Sequence, residues 1–145
     1  MRIKSEKLSK LFLLIYSVIM LLFYCCYVFL ENYRLKQSQQ WISKNNLREE
    51  DVNSISQIGT WTTIIETTFL ILFVITIIFV VYRYQKTPIK HFIILNAGLF
   101  AGIALVSFVI SLTTSMLVGN LIQPVIIPTI LLAALFVYRL WKTRN

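Results

Sequence analysis

The chain has 145 residues, of which 57% are hydrophobic and only 14% charged, and its formal net charge is +8. Soluble domains average about a quarter charged residues, and several apolar runs of about 20 residues do not fit the core of so small a soluble domain. Because the basic residues flank these runs, anionic lipid headgroups are the expected polyanion, and nucleic acid is not. We expect a single-domain, all-α membrane protein with four transmembrane helices over residues 1–145.

The first apolar run, residues 11–30, contains no charged residue. It is longer than the apolar region of a signal peptide, which spans about 7–15 residues, and no small-residue cleavage site follows it. Bulky Phe23 and Tyr24 also argue against a lipoprotein signal at Cys25 or Cys26. The run is therefore predicted to be the first transmembrane helix. Adjacent cysteines point about 100° apart on a helix, which favours packing over metal binding or redox chemistry.

Residues 31–60 form the only sizeable polar region, with four acidic and four basic residues. Asn46 and Glu49 have the spacing of a capping box. The apolar residues that follow recur every three positions, as on one helical face: Val52, Ile55 and Ile58. We predict an outer loop at 31–60 that contains a short amphipathic helix on the membrane surface, with Gly59 as a possible joint to the second transmembrane helix.

Three further apolar runs predict transmembrane helices at about residues 61–82, 92–117 and 124–140. Pro88 lies in the basic link between the second and third, where it should interrupt a continuous helix. Residues 118–123 are expected to form a tight turn. Pro128 should leave the carbonyl of Pro124 without its helical partner and bend the fourth helix.

The distribution of Lys and Arg predicts the orientation. Four precede the first helix, three lie in the link at 83–91 and three lie in the carboxyl-terminal tail from Arg139 onward, whereas residues 31–60 carry four over a much longer stretch. Since short basic loops remain in the cytoplasm, both termini are expected inside, against anionic headgroups, and 31–60 outside. Aromatic residues at the two interfaces would form belts: Tyr27, Tyr33, Trp41 and Trp61 outside, and Tyr82, Tyr84, Tyr138 and Trp141 inside.

Amino-acid usage suggests the source. Glycine and alanine are scarce while Ile, Phe, Asn and Lys are plentiful, which suits an AT-rich genome. We therefore expect the plasma membrane of a low-GC bacterium as the location.

Glu66 is the first candidate functional residue, because a carboxylate in a spanning helix is costly and often functional. It lies five residues past Trp61, roughly 7 Å along the helix axis. It therefore either reaches the outer headgroups and nearby side chains, or faces a cavity as a protonatable or cation-binding group. Polar residues in the same outer half could line a shallow pocket with it: Thr62, Thr63, Ser107, Ser111, Thr113, Thr114, Ser115, Asn120 and Gln123.

The third helix carries a face of small residues at helical spacing, with a GxxxG motif beside it. Small residues let helices approach closely within lipid. This face could pack inside the bundle, or it could bind a transmembrane helix of a partner protein or of a second copy. Its members are Ala97, Gly98, Ala101, Gly102 and Ala104.

The sequence shows no Ser/His/Asp set, Walker loop or paired intramembrane carboxylate, and His91 is its only histidine. We therefore expect neither cofactor nor metal, and an enzyme with Glu66 as general base ranks last. A non-catalytic accessory subunit, partner or self-protection factor of a larger bacterial membrane system is the preferred interpretation. The alternative is a small oligomeric transporter or channel with Glu66 as coupling group.

Overall fold

The computed structural model describes the backbone of residues 2–44, 48–83 and 87–144, and the side chains of 11–43, 48–82 and 89–141. Four α-helices follow one another along the chain: α1 (Arg2–Lys44), α2 (Glu49–Arg83), α3 (Thr87–Thr113) and α4 (Val118–Arg144). Each is long and apolar enough to cross a membrane. The prediction of an all-α chain with four apolar helices of transmembrane length is confirmed.

The four helices alternate in direction. Side chains of α1 and α3 pair in the same order along both helices, Tyr16 with Asn96 and Tyr24 with Ser107. The order is reversed between α1 and α2, where Phe12 packs against Phe79 with ring centroids 5.1 Å apart near the start of α1. Both ends of the chain and the α2–α3 junction therefore lie at one end of the bundle, and the other two connections lie at the opposite end.

Aromatic side chains fill the centre of the bundle. The ring of Phe73 lies 6.0 Å from that of Phe92 and 5.5 Å from that of Phe100, between centroids, and the ring of Tyr16 lies 5.9 Å from that of Phe92. Large apolar side chains also cover the outer surface, such as Leu105, which is 69% exposed. That surface suits lipid, because a spanning helix satisfies its own backbone and can present apolar side chains to acyl chains.

The first helix continues past its apolar run, to Lys44. Residues 31–44 contain no glycine or proline, and they are rich in Leu, Arg, Lys and Gln, which favour helix. Nothing in the sequence therefore ends α1 where its hydrophobicity ends. The structure accordingly has helix over most of 31–60, where the sequence predicted a loop.

The second helix begins with three acidic residues, Glu49, Glu50 and Asp51, which are favourable at the positive end of a helix. The backbone N–H of Arg48 donates to the Asp51 carboxylate at 3.3 Å. The predicted cap, Asn46, lies outside the described residues. Residues 52–58 are helical, as their spacing predicts, but they are the first turns of α2, which continues unbroken through Gly59.

The connections of α3 also differ from the prediction. The helix ends at Thr113 and α4 begins at Val118, so the turn lies at residues 114–117 and residues 118–123 are helical. Within this turn the Met116 N–H donates to Oγ1 of Thr114 at 3.3 Å. Pro88 occupies the first turn of α3, where the N–H that proline lacks has no helical partner in any case.

Helices α1 and α2 extend beyond the α3–α4 turn. Tyr27 is hydrogen-bonded to Asn120 near the start of α4, and from that level α1 runs on to Lys44, roughly 25 Å further at 1.5 Å per residue. We call residues 32–44 and 48–60 the extended hairpin. Its partly buried apolar side chains are Leu35, Trp41, Ile55 and Ile58.

Candidate functional site

Two tyrosines of α1 donate hydrogen bonds to α3 inside the bundle. Tyr16 donates to Oδ1 of Asn96 at 2.8 Å. Tyr24 lies 2.7 Å from Oγ of Ser107, and since the Ser107 hydroxyl donates to the carbonyl of Ile103, Tyr24 must be the donor. These bonds fix α1 against α3 at two levels of the apolar interior.

A third tyrosine, Tyr27, donates to a backbone group. Its hydroxyl lies 2.7 Å from the carbonyl oxygen of Asn120 in α4. That carbonyl would normally accept from the N–H four residues on, but the residue there is Pro124, which has none. Tyr27 is only 2% exposed, so it belongs to the bundle interior and not to the outer aromatic belt that the sequence predicts.

Glu31 follows Tyr27 by about one turn on the same face of α1 and is 3% exposed. Its Oε1 accepts hydrogen bonds from Nη2 of Arg34 at 2.6 Å and from Nδ2 of Asn120 at 3.4 Å. Its Oε2 is buried and has no hydrogen-bond partner among the described residues. Buried polar atoms are nearly always paired, and leaving one unpaired costs about 1–3 kcal/mol, more for a charged group. Glu31 is therefore the least satisfied buried charge in the described part of the bundle.

Glu66 of α2 lies in the same region. It is half-buried and accepts a hydrogen bond from Nε2 of Gln123 at 3.2 Å. Asn120, which donates to Glu31, lies three residues before Gln123 on α4, so both carboxylates are bonded to the same turn of that helix. The fold thus associates two carboxylates that the sequence did not pair. We call this group the polar cluster: Tyr27, Glu31, Arg34, Glu66, Asn120 and Gln123.

The hydroxyl residues predicted to line a pocket with Glu66 are placed differently. Thr62 donates to the carbonyl of Ile58 at 2.9 Å, and Thr63 to the carbonyl of Gly59 at 3.0 Å. Such bonds within one helix are the common use of threonine in membrane segments.

The three serines have different environments. Ser107 is buried against Tyr24, Ser111 is half-buried in α3, and Ser115 is exposed in the α3–α4 turn. Within the described residues no hydrogen bond joins any of the five hydroxyls to Glu66. Of the predicted pocket, Asn120 and Gln123 are the members that belong to the polar cluster.

The small-residue face of α3 lies on the outside of the bundle. Ala97, Gly98, Ala101 and Ala104 are exposed and Gly102 is half-buried. A Cβ added to either glycine would meet nothing within 4 Å. Three of the alanines line a groove of about 790 Å³ between α3 and α4, whose wall is almost entirely apolar. We call it the small-residue groove.

Within the described residues, no group of three or more His, Cys, Asp or Glu side chains could hold a metal ion. Cys25 and Cys26 are free and exposed on the outer face of α1. The polar cluster and the small-residue groove are therefore the two features with candidate functions.

The sequence carries a signal for the burial of Glu31, although this residue begins the predicted loop at 31–60. Tyr16, Met20, Tyr24, Tyr27 and Glu31 are separated by four, four, three and four positions, which places them on one helical face. All five are buried. Tyrosine hydroxyls that recur at helical spacing in a charge-free apolar run mark the interior face of a membrane helix. Glu31 lies on that same face.

Comparison with known proteins finds no relative: no protein-family model, no curated protein and no solved structure matches the chain. Function therefore has to be inferred from the polar cluster, the small-residue groove and the extended hairpin.

Proposed function

We propose that the protein is a non-catalytic, multi-pass membrane protein that binds another membrane protein, as an accessory subunit, partner or self-protection factor of a larger bacterial membrane system. The observation that carries the proposal is the outward position of the small-residue groove. Its alanines are exposed between α3 and α4, while aromatic rings fill the interior of the bundle.

The groove suits a transmembrane helix as its occupant. Helices associate in lipid mainly through close packing, and small residues allow the backbones to approach. Ala97, Ala101 and Ala104 on α3 and Ala133 on α4 form shallow walls that flexible acyl chains fill less completely than a rigid helix does. A partner helix would therefore gain packing there that lipid does not supply.

The extended hairpin offers a second contact surface outside the apolar layer. It is mainly polar, yet Ile42 is 74% exposed and Val52 is 53% exposed. Exposed apolar side chains in a water-facing segment favour a protein contact. We infer that the hairpin projects from the outer face and that both termini lie in the cytoplasm, because most of the basic residues lie at the end of the bundle that holds the termini.

Site-specific photo-crosslinking in intact cells tests the partner proposal. A photoreactive residue at Ala101, inside the groove, should form a discrete adduct whose protein component is identified by mass spectrometry. The matched control is Val106, which is exposed on another side of α3 and outside the groove lining, and should give lipid adducts only. Protein adducts of equal yield at both positions, or at neither, contradict the proposal.

A second candidate function is a small oligomeric transporter or channel with Glu66 as coupling group. The observation in its favour is that Glu66 shares the polar cluster with the buried Glu31, since each accepts a hydrogen bond from the same turn of α4. Glu66→Gln would keep the side-chain size and remove the charge. Loss of ion or proton flux in vesicles, with the fold retained, would support this function, and unchanged flux would eliminate it.

A further inference from the structure

We infer that the polar cluster is a binding site for one monovalent metal cation, held by the buried carboxylate of Glu31. This goes beyond the proposed partner function, which needs no ion. The first observation is the unpartnered Oε2 of Glu31, a buried acceptor that shares the negative charge of the carboxylate when the residue is ionised. A carboxylate in that position is stabilised by a positive charge close to its free oxygen.

The donors around Glu31 are all on its other oxygen. Arg34 and Asn120 both donate to Oε1. Gln123 donates to Glu66, and Tyr27 donates its single hydroxyl hydrogen to the Asn120 carbonyl. These bonds commit the polar hydrogens of Tyr27 elsewhere, so its hydroxyl can offer only lone pairs to the cluster. Oxygen lone pairs are the groups that a bound cation would contact at this position.

The charge balance gives the valence. Two carboxylates, Glu31 and Glu66, and one guanidinium, Arg34, leave a formal charge of −1, which one monovalent cation neutralises. A divalent ion would normally recruit more carboxylate ligands, and in the described residues no group of three or more His, Cys, Asp or Glu side chains is arranged to hold a metal ion. Oxygen atoms from carboxylate and hydroxyl groups are the ligands that a hard cation such as Na⁺ or K⁺ prefers.

The cluster also has a structural position that a bound ion would reinforce. It contains side chains of α1, α2 and α4 at the level where α3 and α4 turn and the extended hairpin begins. Arg34 also lies beside α2, since its Nη1 would be 3.7 Å from a Cβ added to Gly59. A cation shared by these groups would hold the base of the hairpin against α4.

Thermal unfolding of the full-length chain in a nonionic detergent tests the inference. NaCl or KCl is replaced stepwise by N-methyl-D-glucamine chloride at constant ionic strength and neutral pH. We expect the unfolding temperature to rise with the metal cation and to keep rising with the logarithm of its concentration above the dissociation constant. Equal unfolding temperatures in all three salts would overturn the inference.

Two variants locate the effect. Glu31→Gln should abolish the response, whereas Glu50→Gln, at an exposed carboxylate in the first turn of α2, should retain it. A response that survives in Glu31→Gln overturns the site. If that variant does not fold, the half-buried Glu66→Gln takes its place, and it should raise the cation concentration for half-maximal effect by about tenfold. An unchanged half-maximal cation concentration in Glu66→Gln also overturns the site.

A proton is the competing occupant, and the same assay distinguishes it. The unfolding temperature could depend on pH, with the dependence lost in Glu31→Gln, and yet be the same in metal and N-methyl-D-glucamine salts. That result would show that Oε2 of Glu31 is protonated, and the cation inference would fail. Because unfolding in detergent involves neither partner nor flux, its outcome is independent of the crosslinking result and of the flux assay.

Discussion

Tyr27 supplies a hydrogen-bond donor that α4 lacks because residue 124 is proline. A proline inside a helix leaves the carbonyl four residues earlier without its N–H donor, and in lipid no water replaces that donor. In α4 this carbonyl belongs to Asn120, and the Tyr27 hydroxyl of α1 donates to it at 2.7 Å. The proline thus creates an acceptor on α4 that an inter-helix hydrogen bond can use.

Removing the tyrosine hydroxyl should therefore cost more when the proline is present. We expect Tyr27→Phe to lower the free energy of unfolding by about 1–3 kcal/mol, the cost of an unpaired buried acceptor. In a Pro124→Ala background, where the residue 124 N–H can serve Asn120, the same change should cost less. A double-mutant cycle by unfolding in mixed micelles measures the difference.

A second tyrosine provides the control for that cycle. Tyr24 is also buried, but its partner is Ser107 on α3, and Pro124 plays no part in that bond. Tyr24→Phe should therefore cost the same with and without Pro124→Ala. If Tyr27→Phe also lowers the free energy of unfolding by the same amount with and without Pro124→Ala, the Asn120 carbonyl does not depend on Tyr27.

The polar cluster shows how far single residues can be assigned from sequence. Glu66, Asn120 and Gln123 were predicted to lie together because each is polar in the outer half of the apolar region. Glu31 was not, because it stands at the boundary of an apolar run, where a charge is ordinarily solvated. Its burial depends on contacts with Asn120, 89 residues away, and such pairings leave no local pattern.

The helices themselves were partly predictable, for a physical reason. Hydropathy reports where a segment lies in the hydrocarbon layer, whereas a helix ends where its backbone loses helical partners or a favourable sequence. The number of apolar helices therefore follows from sequence. The carboxyl-terminal end of α1 and the start of α2 do not follow from hydropathy, because residues 31–44 are polar and still favour helix.

Gly59 offers a test of the continuity of α2. The sequence suggested a joint at this residue, but α2 runs through it, and an added Cβ would lie 3.7 Å from Nη1 of Arg34, an ordinary contact. Gly59→Ala should therefore stabilise the protein by about 0.4–1 kcal/mol, since alanine restricts the unfolded chain without straining the helix. Unfolding in detergent measures it, with the exposed Gly98→Ala as a second helical glycine for comparison. A destabilised Gly59→Ala protein would indicate a bend or joint at this position.

At the scale of the whole molecule, α1 is far longer than a membrane is thick. Its 43 residues span roughly 65 Å at 1.5 Å per residue, against about 30 Å of hydrocarbon. Helices α3 and α4 have 27 residues each, roughly 40 Å, which matches the membrane with its interfaces. The molecule is thus a four-helix bundle within the membrane from which two of its helices project together.

The distribution of charge predicts the side of the membrane on which the extended hairpin lies. Ten of the fourteen Lys and Arg residues lie near the chain ends and the α2–α3 junction, which share one end of the bundle, and basic segments remain in the cytoplasm. In a Cys25→Ser, Cys26→Ser background, Ile42→Cys in the hairpin should react with a membrane-impermeant maleimide on intact cells. A cysteine added after Asn145 should react only after permeabilisation.

Leu105→Cys separates exposure to water from exposure to lipid in the same experiment. Leu105 is 69% exposed and Ile42 74%, so the two differ little in how far they protrude from the protein. Thiol reactivity requires the thiolate and hence water, so a cysteine at 105 within hydrocarbon should remain unlabelled even after permeabilisation, while one at 42 is labelled at once. Comparable labelling at residues 105 and 42 would mean that the apolar surface of α3 faces water. The assignment of the bundle to a membrane would then be wrong. Labelling of the carboxyl-terminal cysteine on intact cells would reverse the orientation and leave the four-helix bundle unchanged.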